Sequence, residues 1–374
     1  MTKYNVIFIL LDGLRNNRLH LCKNLINISK KSVFFQNMVT AAPYTLSAVH
    51  SIVTGLYPSI HGVDSYFNML KFRNDSCKTL AKYLKDEGYY TESNMVGDTL
   101  IPTQGLNKKE VHNEYNDNLT KLHKNIIKNT YNKIEYKNFF LFLQYSNIHT
   151  NSVVNFGKKF DDFSKEFFNN YQNNVTKYNS WLSEMDIYVK DIYDYIKKLG
   201  LLKNTIVIFF SDHGTSNGEK KGEKMYGSFV YDYTIKVFAS MIIPNQKDIE
   251  IKYQTRSIDL MPTLLEILMI KEDPVFESIR GKSLVPLIQG EEKDNRIAFS
   301  ETGGLNGPWP SHNKHNVYCI RTGKIKLIYN ISPDTWELYN LEMDPLEKNN
   351  IYNEDHLDIS ELKKLLLNFI NNKN

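Results

Sequence analysis

The sequence has 374 residues, with 46 Lys and Arg against 42 Asp and Glu and a formal net charge of +4. So small a surplus gives no support to nucleic acid as a partner, and 41% hydrophobic residues exclude global disorder. Three widely separated cysteines exclude a disulfide framework, and no run reaches the about 18 apolar residues of a membrane span. We therefore expect a cytoplasmic chain with no membrane anchor and no nucleic-acid partner.

Short apolar runs alternate with helical patterns along most of the chain. Several runs, among them VIFILL and TIVIFF, are apolar on both faces, as expected for strands covered by helices on both sides. The alternation predicts an α/β fold with a mostly parallel central sheet flanked by helices. Strands are predicted at 5–11, 33–39, 89–96, 139–145, 205–210 and 237–243, and helices at 19–31, 78–87, 116–130 and 171–199.

The pattern changes after Pro274. Short strand patterns at 297–300, 316–320, 324–329 and 336–339 are separated by Gly, Pro and Asn turns, and a helical pattern then runs to the C-terminus. We therefore predict a catalytic α/β domain over 1–274 and a smaller α+β subdomain over 275–374 that packs on it.

Two predicted strands end in acidic residues. Asp12 follows VIFILL, and Asp212 and His213 follow TIVIFF. In parallel sheets ligands gather at the carboxyl ends of the strands. A single acid there is more often a loop or cap residue, but two such ends, one with an adjacent histidine, predict a metal site. Carboxylates and imidazole suit Mg²⁺, Mn²⁺, Ca²⁺ or Zn²⁺.

Thr45 lies where a strand is followed by a helix. The predicted strand at 33–39 leads through Pro43 to Thr45, which is placed as the N-cap or first residue of that helix. Free backbone N–H groups there suit an anion, and a nearby cation would favour the deprotonated hydroxyl as a nucleophile. Taken alone, the residue also fits an ordinary N-cap threonine.

Six segments together resemble the sulfatase-like branch of the alkaline phosphatase superfamily, in its threonine-nucleophile type. They are VIFILLDGLR, TLSAVHSIVTGLYPSIHG, NTIVIFFSDHG, GEKMYGSFVYDYTIKVF, RSIDLMPTLLEIL and ELYNLEMDPLEKNN, in the family's order. The resemblance implies that Asp12, Thr45, Asp212 and His213 hold one divalent metal ion. It also implies catalytic roles for Thr45 as the nucleophile, His149 at the leaving group and Lys224 at the ester oxygens, with Lys220 and Lys221 as alternative lysines.

The sequence departs from the family's pattern at the nucleophile. Sulfatases carry a cysteine or serine that becomes formylglycine within a C/S-x-P-x-R motif, but Thr45 begins the stretch TLSAV here. Threonine cannot become formylglycine, and the usual Asp-Asp pair is reduced to Asp12-Gly13. The remaining set resembles one metal site of threonine-dependent phosphodiesterases and phosphoglycerol or phosphoethanolamine transferases.

Other polar residues are assigned smaller roles. Gln144 to Ile148 contain no carboxylate before His149, so a second metal ion is not expected. His312 and His315 are candidate substrate-binding residues that keep a second metal site open, although histidines in a polar loop are ordinarily surface residues. His61 is predicted to fix a turn rather than to bind a metal ion. Arg321 and Lys326, which flank the last strands, are predicted to be solvated charges rather than the lining of a substrate pocket.

The resemblance implies a metal-dependent, sulfatase-family hydrolase of a phosphate or sulfate ester that forms a covalent threonine intermediate. The nucleophile favours phosphate chemistry, whereas the C-terminal LYNLEMDPLE pattern favours sulfate chemistry. A small molecule or a glycan would carry the ester. Two alternatives stay open: a phosphotransferase of the phosphoglycerol or phosphoethanolamine type that modifies a glycan, and an inactive sulfatase-like binding protein.

Overall fold

A computed structural model describes residues 4–133, 138–303, 316–353 and 359–372. In these ranges nine strands form one large sheet, in the order β4-β3-β5-β1-β6-β7-β2-β8, with β9 also paired to β2. The strands are β1 (Asn5–Leu11), β2 (Val33–Val39), β3 (Tyr90–Met95), β4 (Lys108–Val111), β5 (Phe139–Tyr145), β6 (Thr205–Phe210), β7 (Lys236–Ile242), β8 (Ile249–Ile251) and β9 (Thr255–Arg256).

The sheet is mostly parallel, as the sequence predicts. Only β7 runs antiparallel to its neighbours β6 and β2, within the part of the chain that the structure describes. Strands β1, β5 and β6 are buried along their whole length, which requires cover on both faces. Along β1 the side chains alternate between two cores, so that Val6, Phe8 and Leu10 enter one and Ile7, Ile9 and Leu11 the other.

Helices cover both faces. The first core packs against α2, α4, α10 and α11, and the second against α1, α5 and α8. The helices are α1 (Lys23–Ser29), α2 (Thr45–Thr54), α3 (Pro58–His61), α4 (Leu80–Asp86), α5 (Leu119–Tyr131), α6 (Asn147–Ser152), α7 (Lys165–Asn169), α8 (Tyr171–Lys198), α9 (Asp232–Ile235), α10 (Leu260–Ile267), α11 (Val285–Gln289) and α12 (Ile359–Asn371). No helix among the described residues is both long enough and apolar enough to cross a bilayer.

Local structure differs from the sequence prediction at one predicted helix and in several short elements. The single helix predicted at 19–31 is a 3-10 helix at Asn16–Leu21 followed by α1, because the backbone of Cys22 (φ −100°, ψ 78°) is not helical. Strands β4, β8 and β9 were not predicted. Each has four residues or fewer, too few for a clear alternating pattern.

A second, antiparallel sheet contains the four strands predicted after Pro274. It has the order β10 (Ala298–Thr302), β11 (Val317–Arg321), β12 (Ile325–Asn330) and β13 (Thr335–Asn340). Helix α12 packs on one face of this sheet through Leu366, against Ile320 and Leu327. The division of the chain at residue 274 stays a prediction.

The prediction that Arg321 and Lys326 are solvated is wrong. Their side chains are 3% and 0% exposed, and both pair with Asp232, at 2.8 and 3.0 Å. Lys326 also pairs with Glu347 at 2.6 Å, and the other Glu347 oxygen accepts the Asp232 backbone N–H. We call Asp232, Arg321, Lys326 and Glu347 the charge cluster. Arg321 and Lys326 can be buried because the carboxylates of Asp232 and Glu347 replace their hydration. The charge cluster also joins α9 to the second sheet.

Candidate metal and ester-binding site

Asp12, Asp212 and His213 meet at one edge of the large sheet. Strands β1 and β6 are parallel neighbours, so the residues that follow them lie side by side. One ligand atom from each of the three residues lies within 4.8 Å of the others, and all three side chains are buried. Of the described residues, these three are the one group of His, Cys, Asp and Glu arranged to hold a metal ion.

Thr45 is the first residue of α2, and its hydroxyl reaches this group. Thr45 Oγ1 lies 3.3 Å from Asp12 Oδ1 and 3.1 Å from His213 Nε2. The N-cap residue, Tyr44, makes no side-chain cap, so no side chain from that residue occupies the first-turn N–H groups. The competing hydroxyl of Ser47 donates instead to the Val63 carbonyl at 2.6 Å.

Two further contacts orient the acidic and imidazole groups. His213 Nδ1 donates to the Gly214 carbonyl at 2.6 Å, which leaves the Nε2 lone pair directed at Thr45 and the carboxylates. Gln144 Nε2 donates to Asp12 Oδ2 at 2.6 Å. The sequence predicts no such role for Gln144. The one signal in the sequence is its position near the end of the apolar run of β5, and in the structure this position lies beside Leu10 of β1.

His149 is connected to the group of Asp12, Asp212 and His213 by the side chain of a tyrosine, Tyr226. His149 lies on α6, directly after β5, and its Nε2 is 2.7 Å from the hydroxyl of Tyr226. The Tyr226 ring in turn packs on His213, with ring centroids 4.6 Å apart. Burial lowers the pKa of His149. The sequence does not predict a role for Tyr226, because its place beside His213 depends on how the loop after β6 folds back.

The three candidate lysines lie in different surroundings. Lys224 is 7% exposed, and its amine donates to the Phe160 carbonyl at 2.6 Å. Lys221 is exposed. Lys220 points towards the second sheet, where its amine donates to the Glu347 carbonyl and lies 4.4 Å from the centre of the Tyr231 ring.

The candidate histidines are also separated. His61 accepts the Val63 backbone N–H at 3.2 Å within a turn, which agrees with a turn-fixing role. His312 and His315 lie outside the described residues.

Comparison with known proteins identifies the family. Residues 4–270 match the family described as Sulfatase, and residues 223–372 match the one described as N-sulphoglucosamine sulphohydrolase, C-terminal. The chain belongs to the sulfatase family. An N-acetylglucosamine-6-O-sulfatase of Bacteroides thetaiotaomicron is 29% identical over 188 residues, which are 49% of this chain and 32% of that protein. The match thus spans about a third of the length of this curated relative.

Solved sulfatase-like structures share the fold. A protein in complex with D-glucosamine-2-N,6-O-disulfate has a TM-score of 0.74 at 18% identity, over 98% of this chain and 97% of the other. A phosphonate monoester hydrolase of Silicibacter pomeroyi also has a TM-score of 0.74, at 16% identity over 98% and 94% of the two chains. These likenesses support the α/β architecture.

Members of the sulfatase family depend on a metal ion, and the residues of this chain fit one. Burial, and after it the negative charge of Asp212, raise the pKa of Asp12 to about 8. Asp212 Oδ2 is buried and has no hydrogen-bond partner among the described residues. Two adjacent buried carboxylates are stable only beside positive charge, and oxygen and imidazole donors are suitable ligands for a divalent cation.

Divalent metal should therefore stabilise the folded protein. We expect Mn²⁺ at 100 times its dissociation constant to add about 2.7 kcal/mol to the free energy of unfolding. The measurement is the thermal midpoint by calorimetry, with EDTA and with Mn²⁺ or Ca²⁺. In Asp212→Asn the midpoint should no longer respond to the ion. Asp186→Asn is the matched control, since Asp186 binds the N–H groups of Asn24 and Leu25 and should keep the response. An undiminished response in Asp212→Asn would place the ion elsewhere.

Proposed function

We propose that this protein hydrolyses a phosphate or sulfate ester through a covalent threonine intermediate. The observation that carries the proposal is the Thr45 hydroxyl, at the start of α2 and within 3.3 Å of both Asp12 and His213. Asp12, Asp212 and His213 would hold one divalent ion, with Thr45 as a further ligand. The bound ion would supply positive charge that favours the alkoxide form of Thr45.

Each step of the proposed reaction is assigned to a residue of this chain. Thr45 Oγ attacks the phosphorus or sulfur, the bond to the leaving oxygen breaks, and a phospho- or sulfo-threonine forms. His149, oriented by Tyr226, donates a proton to the leaving alkoxide. The first-turn N–H groups of α2 stabilise charge on the non-bridging oxygens. Water then attacks the phosphorus or sulfur, His149 takes up one of the water's protons, and the bond to Thr45 Oγ1 breaks, which releases Thr45.

Lys224 is the lysine that we propose for the ester oxygens. It is buried, and it comes two residues before Tyr226, whose ring packs on His213. Lys221 is exposed, and the Lys220 amine points towards the second sheet, 4.4 Å from the centre of the Tyr231 ring.

Phosphate or sulfate esters of glycans or of small molecules are the substrate class we propose. The relatives are named for N-acetylglucosamine-6-O-sulfate and choline sulfate, and one structural neighbour binds a sulfated glucosamine. A glycan phosphotransferase is the second candidate, because an acceptor hydroxyl could replace water in the last step. An inactive binding protein is disfavoured because Asp12, Thr45, Asp212 and His213 are all retained and brought together.

The nucleophile predicts a preference for phosphate. A formylglycine hydrate expels sulfate with its second hydroxyl, and Thr45 has none, so water must clear the intermediate by attack at phosphorus or sulfur. We expect matched 4-nitrophenyl phosphate mono- and diesters to have a higher kcat/KM than 4-nitrophenyl sulfate at saturating Mn²⁺ or Zn²⁺. A sulfate preference would contradict the assignment of phosphate chemistry. Loss of turnover in the absence of any acceptor, with turnover restored by glycerol, would favour the transferase.

A further inference from the structure

Tyr66 is a tyrosine beside the site that the proposed mechanism does not use. It belongs to segment 61–68, which connects α3 to a short 3-10 helix at Tyr66–Asn68. Its ring packs on that of Tyr44, the residue before Thr45, with ring centroids 5.5 Å apart. Burial, and after it the negative charges of Asp12 and Asp212, raise the pKa of the Tyr66 phenol.

Segment 61–68 is held rigidly against α2. Tyr66 is therefore presented by a fixed platform, as precise ligand contacts require. Three hydrogen bonds tie the segment to this helix and its N-cap: Ser51 Oγ with His61 Nε2 (3.0 Å), Ser47 Oγ with the Val63 carbonyl (2.6 Å) and Tyr44 Oη with the Asp64 carbonyl (2.5 Å).

The hydroxyl of Tyr66 has no hydrogen-bond partner within the described ranges, although the residue is half-buried. By contrast, the Tyr44 hydroxyl donates to Asp64, and the Tyr226 hydroxyl lies 2.7 Å from His149 Nε2. The next residue, Phe67, is 74% exposed, so the segment borders open solvent from which a substrate can arrive. A phenol is a donor whose proton stays bound at neutral pH, and it costs little entropy to order.

We propose that the Tyr66 hydroxyl donates a hydrogen bond to a non-bridging oxygen of the ester group attacked by Thr45. The inference rests on the proposed function and adds a substrate-binding residue to it. Charge on the non-bridging oxygens is stabilised from the α2 side by backbone N–H groups, and Tyr66 supplies a side-chain donor from segment 61–68. The substrate class this fits is an ester with a tetrahedral oxyanion group, either phosphate or sulfate.

The test compares Tyr66→Phe with the wild type, using Mn²⁺ and two readouts. The first is kcat/KM for the 4-nitrophenyl ester that the wild type turns over fastest, which we expect to fall about 10²-fold. The second is the dissociation constant of inorganic phosphate by calorimetry, which should weaken about tenfold. The thermal midpoint and its response to Mn²⁺ should not change, because the hydroxyl binds nothing in the described protein. Tyr131→Phe is the matched control, since Tyr131 is a 49% exposed tyrosine on α5 and both readouts should stay at the wild-type level.

Each outcome of this experiment either supports or overturns the role of Tyr66. Unchanged turnover and phosphate affinity in Tyr66→Phe overturn the role of Tyr66 and leave the hydrolase standing. A lowered thermal midpoint or a lost Mn²⁺ response would show that the hydroxyl is structural and would also overturn the role. If the wild type turns over no ester, the proposed function fails, and the phosphate affinities of the two proteins still decide the role of Tyr66. Absence of phosphate binding by the wild type as well overturns both.

Discussion

Thr45→Ala is expected to reduce turnover by about 10⁴-fold or more, because the covalent step loses its attacking oxygen. Folding and metal stabilisation should be largely kept, since Asp12, Asp212 and His213 remain. The Thr45 side chain is 3% exposed, and its loss removes only a methyl group and a hydroxyl. Steady-state kinetics on the preferred aryl ester, together with the Mn²⁺-dependent shift of the thermal midpoint, measure both expectations. Mass spectrometry of acid-quenched enzyme should detect the phosphoryl or sulfuryl adduct on wild type and not on the variant.

Ser47→Ala is the matched control for the nucleophile. Its hydroxyl is two residues away on the same helix but donates to the Val63 carbonyl, so we expect a small loss of stability, about 1 kcal/mol, and a modest loss of turnover. Full activity in Thr45→Ala, with activity lost in Ser47→Ala, would show that the attacking oxygen belongs to Ser47.

Asp232→Asn is expected to lower the free energy of unfolding by about 3–5 kcal/mol. Arg321 and Lys326 both pair with this carboxylate, and with it gone the two cations lose an anionic partner while staying buried. The partners also hold the pKa of Asp232 well below its usual range. The measurement is urea unfolding followed by circular dichroism, with the m-value checked for two-state behaviour.

Asp194→Asn is the matched control for this change. Asp194 pairs with Lys190 at 2.8 Å on the surface of α8, where both side chains are more than half exposed. Removing that charge should cost less than about 0.5 kcal/mol. Equal destabilisation by the two substitutions would mean that the charge cluster contributes no more than a solvated ion pair.

The residues at the candidate metal site could be predicted because each follows an apolar strand of a parallel sheet. Asp12, Asp212 and His213 follow apolar runs, and parallel strands bring such ends to the same edge. Thr45 could be placed because a helix start after a strand has a recognisable pattern. These predictions require only knowing which segments are strands or helices, and not the exact course of the loops between them.

The rest of the site depends on how loops return to the sheet, which local sequence does not encode. Gln144 carries no charge, so the sequence does not indicate a ligand-orienting role, and its amide hydrogen bond to Asp12 depends on the two strand ends lying side by side. Tyr66 and Tyr226 belong to segments with no periodic pattern. The burial of Arg321 and Lys326 is not predictable from local sequence, because their partner, Asp232, is about 90 positions earlier in the chain.

The charge cluster also bears on how far the protein is modular. The loop after β6 begins near His213 of the candidate metal site and ends at Asp232, whose charge is balanced by cations from the second sheet. One end of this loop is therefore held by the large sheet, and the other end is held by ion pairs to the second sheet. A chimera in which the second sheet comes from a relative needs cationic residues at the positions that face Asp232. Without them, the Asp232 carboxylate is buried with no cation beside it. A substitution that changes the charge of Asp232 therefore limits which residues the second sheet can accept at positions 321 and 326, and the reverse also holds.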